Sequence, residues 1–384
     1  MEKLKRLGLL VMTLCLLWMM SACALAVVTN QTVTLSTGVE GYRDWTNDFA
    51  QDGKYTADAE GLHSVQLLWL AGSVEVTVAG DAEVAFAETS REALARDDAL
   101  RYGVEDGVLY VQYCAPDRRQ LPVKNLTLTL PRALAENLQL MKADVTSADV
   151  TMAGLTARQL TFSGSSGSLT AKEMHVGTAT LGATSGALCY EGAYQRLTAA
   201  TSSGAIAVVG RSEAMAEGVT PGSVSLSATS GAIAFAGTYR QLTADASSGA
   251  ITVESQGEAE TTKLSSTSGH VRVSGAMGET EASTSSGDIS GAAQTDRWLS
   301  QSTSGKLELS FAACPAKLSV GTSSGDVKLT LPAESDFTLE YHTSSGELKS
   351  DFSMMMRKDT YTCGSGAAQL TVNTTSGNCQ MIAK

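Results

Sequence analysis

The chain has 384 residues, with 40 Asp and Glu against 28 Lys and Arg and a formal net charge of −12. This acidic balance argues against a nucleic-acid partner, because binding to a phosphate backbone needs clustered basic side chains. Aromatic residues are only 5% of the chain while Gly occurs 36 times, so we expect a thin core of small and aliphatic side chains.

Residues 1–22 predict a signal peptide for export. A basic start precedes an apolar run from Leu9 to Met20, and this run is too short to span a membrane comfortably. The tetrapeptide at 20–23, MSAC, is similar to the lipobox of bacterial lipoproteins, so Cys23 is the predicted lipidation site. Two alternatives stay open: ordinary signal-peptidase cleavage near the ALA at 24–26, which releases the protein outside the cell, and an uncleaved anchor.

Two irregular regions follow the signal peptide. Residues 23–63 are polar with little periodicity, which indicates a tether with short strands. Residues 64–155 contain strands with alternating apolar residues, such as SVEVTV at 73–78 and NLTLTL at 125–130. We expect this second region to begin and cap a repeat architecture, and the segment EALARDDAL at 92–100 to form a short helix.

Residues 156–384 repeat a Ser/Thr-Ser-Gly motif, most often at intervals of 18–21 residues. Two longer intervals contain insertions, and a degenerate copy, Thr146-Ser147-Ala148, precedes the first copy. The glycines of the eleven copies are Gly167, Gly186, Gly204, Gly231, Gly249, Gly269, Gly287, Gly305, Gly325, Gly346 and Gly377.

Apolar residues recur in fixed columns around each motif. The second residue after each Gly is apolar, as at Leu188, Ile206, Ile233 and Ile251, and the fourth is usually apolar. The first and third are mostly small or polar, so each segment alternates with a period of two and predicts a strand with one buried face. A further apolar column, seven residues before most of the glycines, predicts a second strand running into the motif.

The repeat length determines the predicted fold. A unit of 18–20 residues with two strands and two corners cannot bury an apolar face alone, so the units must stack. We therefore predict an all-β, single-chain β-solenoid of about twelve turns with an irregular N-terminal β cap. The corner Gly either adopts a positive φ or lets adjacent backbones approach closely, and the Ser before it bonds the corner backbone.

The cysteines fit no metal or redox motif. Besides Cys15 and Cys23 in the signal region, five remain: Cys114, Cys189, Cys314, Cys363 and Cys379. Export permits disulfides, and Cys363 and Cys379 lie where neighbouring turns of the repeat would place them close together. We predict this bridge, with free buried thiols as the alternative.

Catalytic chemistry is not predicted. The segment GTSSG at 321–325 matches the G-x-S-x-G nucleophile elbow, but a strand follows it where the elbow needs a helix. The four histidines (His63, His175, His270 and His342) share no metal-ligand spacing. Asp288 and Asp326 would suit a polysaccharide-cleaving β-helix enzyme, but Lys306 lies between them in the same outward column. We expect no enzyme activity, no cofactor and no metal site.

The motif resembles that of the bacterial putative-adhesin family, a domain of unknown function built of β-strand repeats. The resemblance rests on the recurrent S/T-S-G, on the opener LAGSVEVTVAGDAEVAF, and on LTLTLPRAL and VKLTLPAES, over residues 64–384. Many copies depart from the family pattern by carrying Ala after the Gly, where Asp is common. The resemblance implies a β-solenoid of the cell envelope that presents a repeat surface for binding.

The partner is not specified by the sequence. The expected partners are a surface glycan or protein, and the membrane through the lipid; the alternatives are a structural or regulatory envelope scaffold and, less favoured, the polysaccharide enzyme. Tyr194, Tyr239 and Trp298 are the aromatic candidates for glycan contact. The outward column from His270 to Glu347, on successive turns, predicts a solvated face. The C-terminal strand CQMIAK has no polar cap, which predicts an open edge capable of end-to-end association.

Overall fold

The computed structural model describes residues 33–34, 42–80, 82–116, 118, 120–213 and 222–384. The predicted signal peptide, the lipidation site at Cys23 and part of the predicted tether lie outside these residues. The chain divides into two compact units, Met1–Val209 with Glu213–Thr220, and Gly210–Ser212 with Pro221–Lys384. No helix in the described part of the chain is long and apolar enough to cross a membrane.

The described residues of the first unit form twelve strands, one short helix and the beginning of a thirteenth strand. In chain order they are β1 (Val33–Thr34), β2 (Lys54–Asp58), β3 (Ser64–Ala79), β4 (Glu83–Ser90), β5 (Arg101–Glu105), β6 (Val108–Gln112), β7 (Gln120–Leu121), β8 (Lys124–Pro131), α1 (Arg132–Ala135), β9 (Leu138–Ala153), β10 (Thr156–Gly164), β11 (Leu169–Ala183), β12 (Leu188–Thr201) and β13 (Ile206–Ser212).

The second unit contains the remaining strands. They are β14 (Ser223–Ala228), β15 (Ile233–Gly237), β16 (Gln241–Ala246), β17 (Ile251–Ser266), β18 (Val271–Thr284), β19 (Ile289–Gln294), β20 (Arg297–Ser302), β21 (Leu307–Phe311), β22 (Lys317–Thr322), β23 (Val327–Leu331), β24 (Phe337–His342), β25 (Leu348–Ser350), β26 (Met355–Arg357), β27 (Thr360–Cys363), β28 (Ala368–Thr374) and β29 (Cys379–Ala383).

In the first unit a parallel stack begins with β6 and β8, which pair in parallel with the first and the second half of β3. On its other side β3 lies beside β9, with Val65 opposite Met141 and Val74 opposite Val150. Strand β9 pairs in turn with β10 and with the start of β11, and β11 pairs with β12, all in parallel. The predicted stack of strands is therefore confirmed, and the opener LAGSVEVTV lies within it, on β3.

The irregular part of the first unit adds antiparallel strand pairs to that stack. Strand β4 pairs with both β2 and β8, and β5 pairs with β6. The predicted helix at 92–100 is wrong: the segment makes one turn, in which the Asp98 N–H donates to the Ala95 carbonyl. The buried Glu88 carboxylate accepts the Leu100 N–H at 3.0 Å, which holds the chain out of a helical path.

In the second unit the strands form two parallel series, one before each corner and one after it. The series before the corner includes β16, β17, β18, β20 and β22, and the series after it includes β15, β17, β18, β19, β21 and β23. Strands β17 and β18 belong to both series because each continues through the second predicted corner. There the pairing shifts register at Ser255 and Ala259, so this corner is a bulge within a strand.

The predicted apolar columns point inward. Leu188, Ile206, Ile233 and Ile251 are each no more than 1% exposed, which confirms the predicted core in both units. The exception is Leu348, which is only half-buried. It lies on β25, which among the described strands pairs with β29 alone.

The last repeats do not stack in sequence order. Strand β28 pairs with β22 on one side and β24 on the other, and β29 likewise lies between β23 and β25. The C-terminal segment is thus inserted into the stack, and the hairpin of β26 and β27 pairs antiparallel with β24. The expectation that CQMIAK forms the open edge is wrong, because that segment has a parallel neighbour on each side. End-to-end association stays a prediction, and near the C-terminal segment the described strands with one paired neighbour are β25 and β26.

Candidate binding surface

The corner glycines allow the backbones of adjacent turns to touch. A Cβ built on Gly287 would lie 2.0 Å from the carbonyl oxygen of Gly269, and on Gly305 it would lie 1.8 Å from that of Gly287. None of the eleven corner glycines is among the described residues with positive φ. Of the two reasons considered for Gly, close approach is therefore correct and positive φ is wrong.

The same contact follows the inserted strand order. Gly377 lies on the carbonyl of Gly325, and Gly346 lies on that of Gly377. Gly167 contacts the carbonyl of Ala148, so the degenerate copy occupies the same column. Gly72 comes before Ala148 in this column, because the two residues pair in the β3–β9 register. Gly72 was not predicted as a corner residue because no Ser precedes it.

A buried hydroxyl three residues before the Gly bonds the corner. Thr284 Oγ1 accepts the Gly287 N–H at 3.0 Å and donates to the Gly269 carbonyl at 3.4 Å. Thr201, Ser266, Ser302 and Thr322 repeat both bonds in their own turns. We expected the Ser next to the Gly to take this role. The signal that would have identified the correct position is the Ser or Thr at this place in seven of the eleven copies.

The two residues between this hydroxyl and the Gly are exposed in every copy. Their backbones are bonded to the previous turn, as where the Ser304 N–H donates to the Ser285 carbonyl at 3.0 Å, so the side chains project to solvent. We call this row the hydroxyl ladder. In the first unit it consists of Ser165, Ser166, Thr184, Ser185, Ser202 and Ser203, and in the second of Thr229, Ser230, Ser247, Ser248, Thr267, Ser268, Ser285, Ser286, Thr303, Ser304, Ser323, Ser324, Thr375, Ser376, Ser344 and Ser345.

In several copies the outward residue after the Gly caps the next turn. Asp288 Oδ1 accepts the Lys306 N–H at 2.8 Å, and Asp326 Oδ1 accepts the Asn378 N–H at 2.9 Å. Asn378 then accepts the Glu347 N–H at 3.0 Å, so Glu347 does not follow Asp326 directly as expected. This column is exposed, and the carboxylates of Asp288 and Asp326 serve as backbone caps.

The prediction that three aromatic side chains are available to contact a glycan is wrong. Tyr194, Tyr239 and Trp298 are no more than 4% exposed and belong to the core. A depression of about 320 Å³ does lie on β2, β4 and β8 of the first unit, lined in part by Tyr55 and Phe86. Its rings pack on one another with centroids 5.7 Å apart, and both side chains are buried, so little aromatic face is available to a sugar.

The candidate catalytic residues are dispersed or otherwise bonded. His63 Nδ1 lies 2.9 Å from the Ser64 hydroxyl, and His270 Nδ1 accepts the Asp288 N–H at 3.2 Å. His175 lies on β11 and His342 on β24. Across the described ranges, no group of three or more His, Cys, Asp or Glu side chains is placed to hold a metal ion.

The five cysteines of the described chain are free thiols. The predicted bridge between Cys363 and Cys379 is not formed in this structure. Cys379 is buried in the core column of β29, whereas Cys363 ends β27 in the hairpin outside that column. Sequence spacing suggested neighbouring turns because the inserted strand order was not foreseen.

The fold and the repeated corner define an all-β, β-solenoid-like protein. Residues 190–381, half of the chain, match the Toastrack family, DUF4097. The chain therefore belongs to this family, whose domain has no assigned function, and the predicted resemblance is confirmed. No curated protein matches the chain.

The chain is also similar to a solved structure, the crystal structure of a putative cell adhesion protein from Clostridium sporogenes ATCC 15579. The aligned region covers 86% of the present chain and 99% of the cell adhesion protein, at 9% sequence identity. The TM-score is 0.15, which is too low to indicate a shared fold.

Proposed function

We propose that the protein is an envelope-anchored, non-catalytic β-solenoid of about twelve turns that binds a surface glycan or protein through its hydroxyl ladder. The observation that carries this proposal is the exposed Ser/Thr-Ser pair at all eleven corners, held by a backbone that is bonded to its neighbours. Stacked strands repeat at about 4.8 Å, so each unit offers closely spaced hydroxyl groups that donate and accept hydrogen bonds.

The rigidity of the corners supports a binding role. The glycine contacts and the buried hydroxyls of Thr284 and its counterparts hold the ladder on both sides. Side chains with one rotatable bond before the hydroxyl lose little conformational entropy when they bind a partner. A regular polymer such as a glycan would engage several corners at once, and weak contacts would add up.

The location is proposed from the N-terminus and from the charge. The lipobox with Cys23 supports attachment to the cell membrane by a lipid, with release outside the cell as the alternative. An acidic, soluble surface suits a chain that works in water and does not favour nucleic acid.

The non-catalytic part of the proposal rests on the roles that the acidic side chains already have. Asp288 and Asp326, the pair considered for polysaccharide cleavage, each accept a backbone N–H of the next turn. The GTSSG segment leads into strand β23, and Ser323 and Ser324 are ordinary members of the ladder.

A binding experiment with ladder variants tests the function. The mature chain from residue 24 is applied to a glycan array and used to capture partners from envelope extract. We expect Ser285→Ala, Ser286→Ala, Thr303→Ala and Ser304→Ala, combined in one variant, to lose most of the binding. A control with Ser225→Ala and Ser227→Ala removes exposed hydroxyls of β14 away from the corners and should bind as the original does. Equal binding by all three chains would overturn the proposal.

A labelling experiment tests the anchor separately. Cells that express the full chain are fed a labelled fatty acid, and label on the protein is compared with that on Cys23→Ala. We expect the substitution to abolish labelling. Unchanged labelling would show that the lipid is attached elsewhere.

A further inference from the structure

Two free thiols of the second unit contact the same residue, Ser335, at a corner near the inserted strands. Cys363 ends β27, and its Sγ donates to the Ser335 carbonyl at 3.4 Å. Cys314 lies in the loop before β22 and interacts with the side chain of the same Ser335. Both thiols are only half-buried, so an oxidant in solution has access to this corner.

The backbone holds the three segments of this corner together. The Gln369 N–H donates to the Ala316 carbonyl at 3.0 Å, and the Ala368 N–H donates to the Asp336 carbonyl at 3.1 Å. These bonds join the loop of Cys314 to the start of β28, and the start of β28 to the loop of Ser335.

The Asp336 carboxylate fixes the chain just after Cys363. It accepts the Ser365 hydroxyl and the N–H groups of Gly366 and Ala367. The Ser365 hydroxyl and these N–H groups favour the charged form, and they lower the pKa of Asp336 to about 2. The hairpin end that carries Cys363 is therefore held against the loop that contacts Cys314.

We propose that Cys314 and Cys363 form a reversible disulfide that locks the inserted β28–β29 segment into the stack. The oxidant is a disulfide of the thiol–disulfide exchange class, such as oxidised glutathione or a protein disulfide donor. One cysteine thiolate attacks the donor disulfide and releases one donor thiol. The second cysteine then attacks the mixed disulfide and releases the other thiol, so two cysteine thiols give one cystine and two donor thiols.

The bridge closes a loop of about 50 residues that contains β22 to β27. Strand β28 lies between β22 and β24, and β24 in turn lies between β28 and β27, the strand that Cys363 ends. Cross-linking across an inserted strand pair restricts the unfolded chain and opposes withdrawal of the segment. The predicted partner Cys379 lacks this access, because it is buried in the core and its burial raises the pKa of its thiol to about 12.

Oxidation of the purified mature chain tests the proposal, and it depends on neither a ligand nor the anchor. The chain is incubated at pH 8 with oxidised glutathione, free thiols are counted, and disulfide peptides are mapped by mass spectrometry without reduction. We expect two thiols to be lost and one peptide pair to join Cys314 to Cys363. The midpoint of thermal unfolding should rise by about 5–10 °C and return after reduction.

Three serine variants separate this pair from the others. Cys314→Ser and Cys363→Ser should each prevent the cross-link and the rise in the unfolding midpoint. Cys379→Ser should leave the cross-link unchanged, even if it lowers the unfolding midpoint. Glutathione adducts on Cys314 or Cys363 without a cross-link, a bridge from Cys363 to Cys379, or no loss of thiols would each overturn the proposal.

Discussion

The irregular part of the first unit, residues 42–131, and the repeats of the second unit bury polar groups in different ways. In the first region the buried polar contacts join individual side chains and do not recur at a fixed spacing. In the second region one small set of contacts recurs at successive corners. The comparison separates stability that depends on single residues from stability that is shared among copies.

The main contact of the first region is a buried ion pair. Lys124 Nζ lies 2.7 Å from Glu88 Oε2, and both side chains are no more than 1% exposed. Lys124 also donates to the Asp98 carbonyl at 2.6 Å, and Glu88 accepts the Tyr55 hydroxyl at 3.1 Å. Burial lowers the pKa of Lys124, and the Glu88 carboxylate opposes that change. The pair is tolerated only because each charged atom has several partners.

The repeated contact of the second region needs no charged group. Each corner uses a glycine and a short hydroxyl side chain, and its neighbours supply the same groups again. Four described copies that lack the hydroxyl still form corners: Gly164, Ala183, Ala228 and Ala246 occupy its position. A repeated contact can thus be omitted in one copy, whereas the ion pair has no substitute.

The largest expected effect comes from removing one side of the ion pair. Lys124→Met leaves the Glu88 carboxylate buried without a cation, so we expect the free energy of unfolding to fall by about 3–5 kcal/mol. Urea unfolding followed by circular dichroism at pH 7 measures this change.

Two further variants show that the lost charge pairing causes the effect. Glu88→Gln combined with Lys124→Met removes both charges and keeps a hydrogen-bond acceptor, and it should recover at least half of the loss. Arg132→Met breaks an exposed pair with Glu136, in which both side chains are more than half exposed, and it should cost at most about 0.5 kcal/mol. A fall of less than about 1 kcal/mol in the free energy of unfolding of Lys124→Met would contradict the conclusion that the first region depends on this single ion pair.

The next effect uses the two glycines of the GTSSG segment as a matched pair. A Cβ on Gly325 would lie 1.9 Å from the Gly305 carbonyl oxygen, whereas the nearest atom to a Cβ on Gly321 is 3.8 Å away. We expect Gly325→Ala to lower the free energy of unfolding by about 2–3 kcal/mol, because two backbones must separate. Gly321→Ala should change it by less than about 0.5 kcal/mol.

The same urea titration compares the two alanine variants. Equal losses would mean that the corner adapts by moving the backbone at little cost, and the glycine column would then not explain the motif. A larger loss of unfolding free energy in Gly321→Ala than in Gly325→Ala would show that close backbone approach is not the reason for Gly at the corner.

The fold of the repeated region was predictable because the same residue types recur at the same positions relative to each corner Gly. Eleven copies gave the corner, the inward residues such as Ile251 and the parallel stack, and a single copy would have given none of them. The buried hydroxyl recurs in the same columns, but it was assigned two places too late in the chain, to the exposed Ser directly before the Gly.

The order of the last strands was not predictable from the columns. Leu318, Leu339 and Leu370 occupy the same place in their repeats, and their strands β22, β24 and β28 pair in equivalent register. The columns therefore allow either order, and the hairpin between β25 and β28 decides it. For the same reason the contact of Cys314 and Cys363 with Ser335 could not be foreseen from spacing.

The ion pair of the first region could not be predicted either. Glu88 and Lys124 lie 36 residues apart in segments without repeats, and each alternates with apolar neighbours as a surface residue would. Their burial depends on the antiparallel pairing of β4 with β8, which no periodicity in the sequence specifies.

The smallest effect concerns the buried hydroxyl column and has a reciprocal test. Thr284→Val keeps the volume of the side chain but leaves the Gly287 N–H without its acceptor, so we expect a loss of about 1 kcal/mol. Ala246→Ser adds a hydroxyl at the equivalent place of an earlier turn, between the Gly231 carbonyl and the Gly249 N–H, and it should gain a few tenths of a kcal/mol. If shape alone mattered, Thr284→Val would be neutral and Ala246→Ser would destabilise by crowding a buried site. Opposite signs in these two variants would show that the hydroxyl stabilises the corner through its hydrogen bonds, and that copies without it are individually weaker but carried by their neighbours.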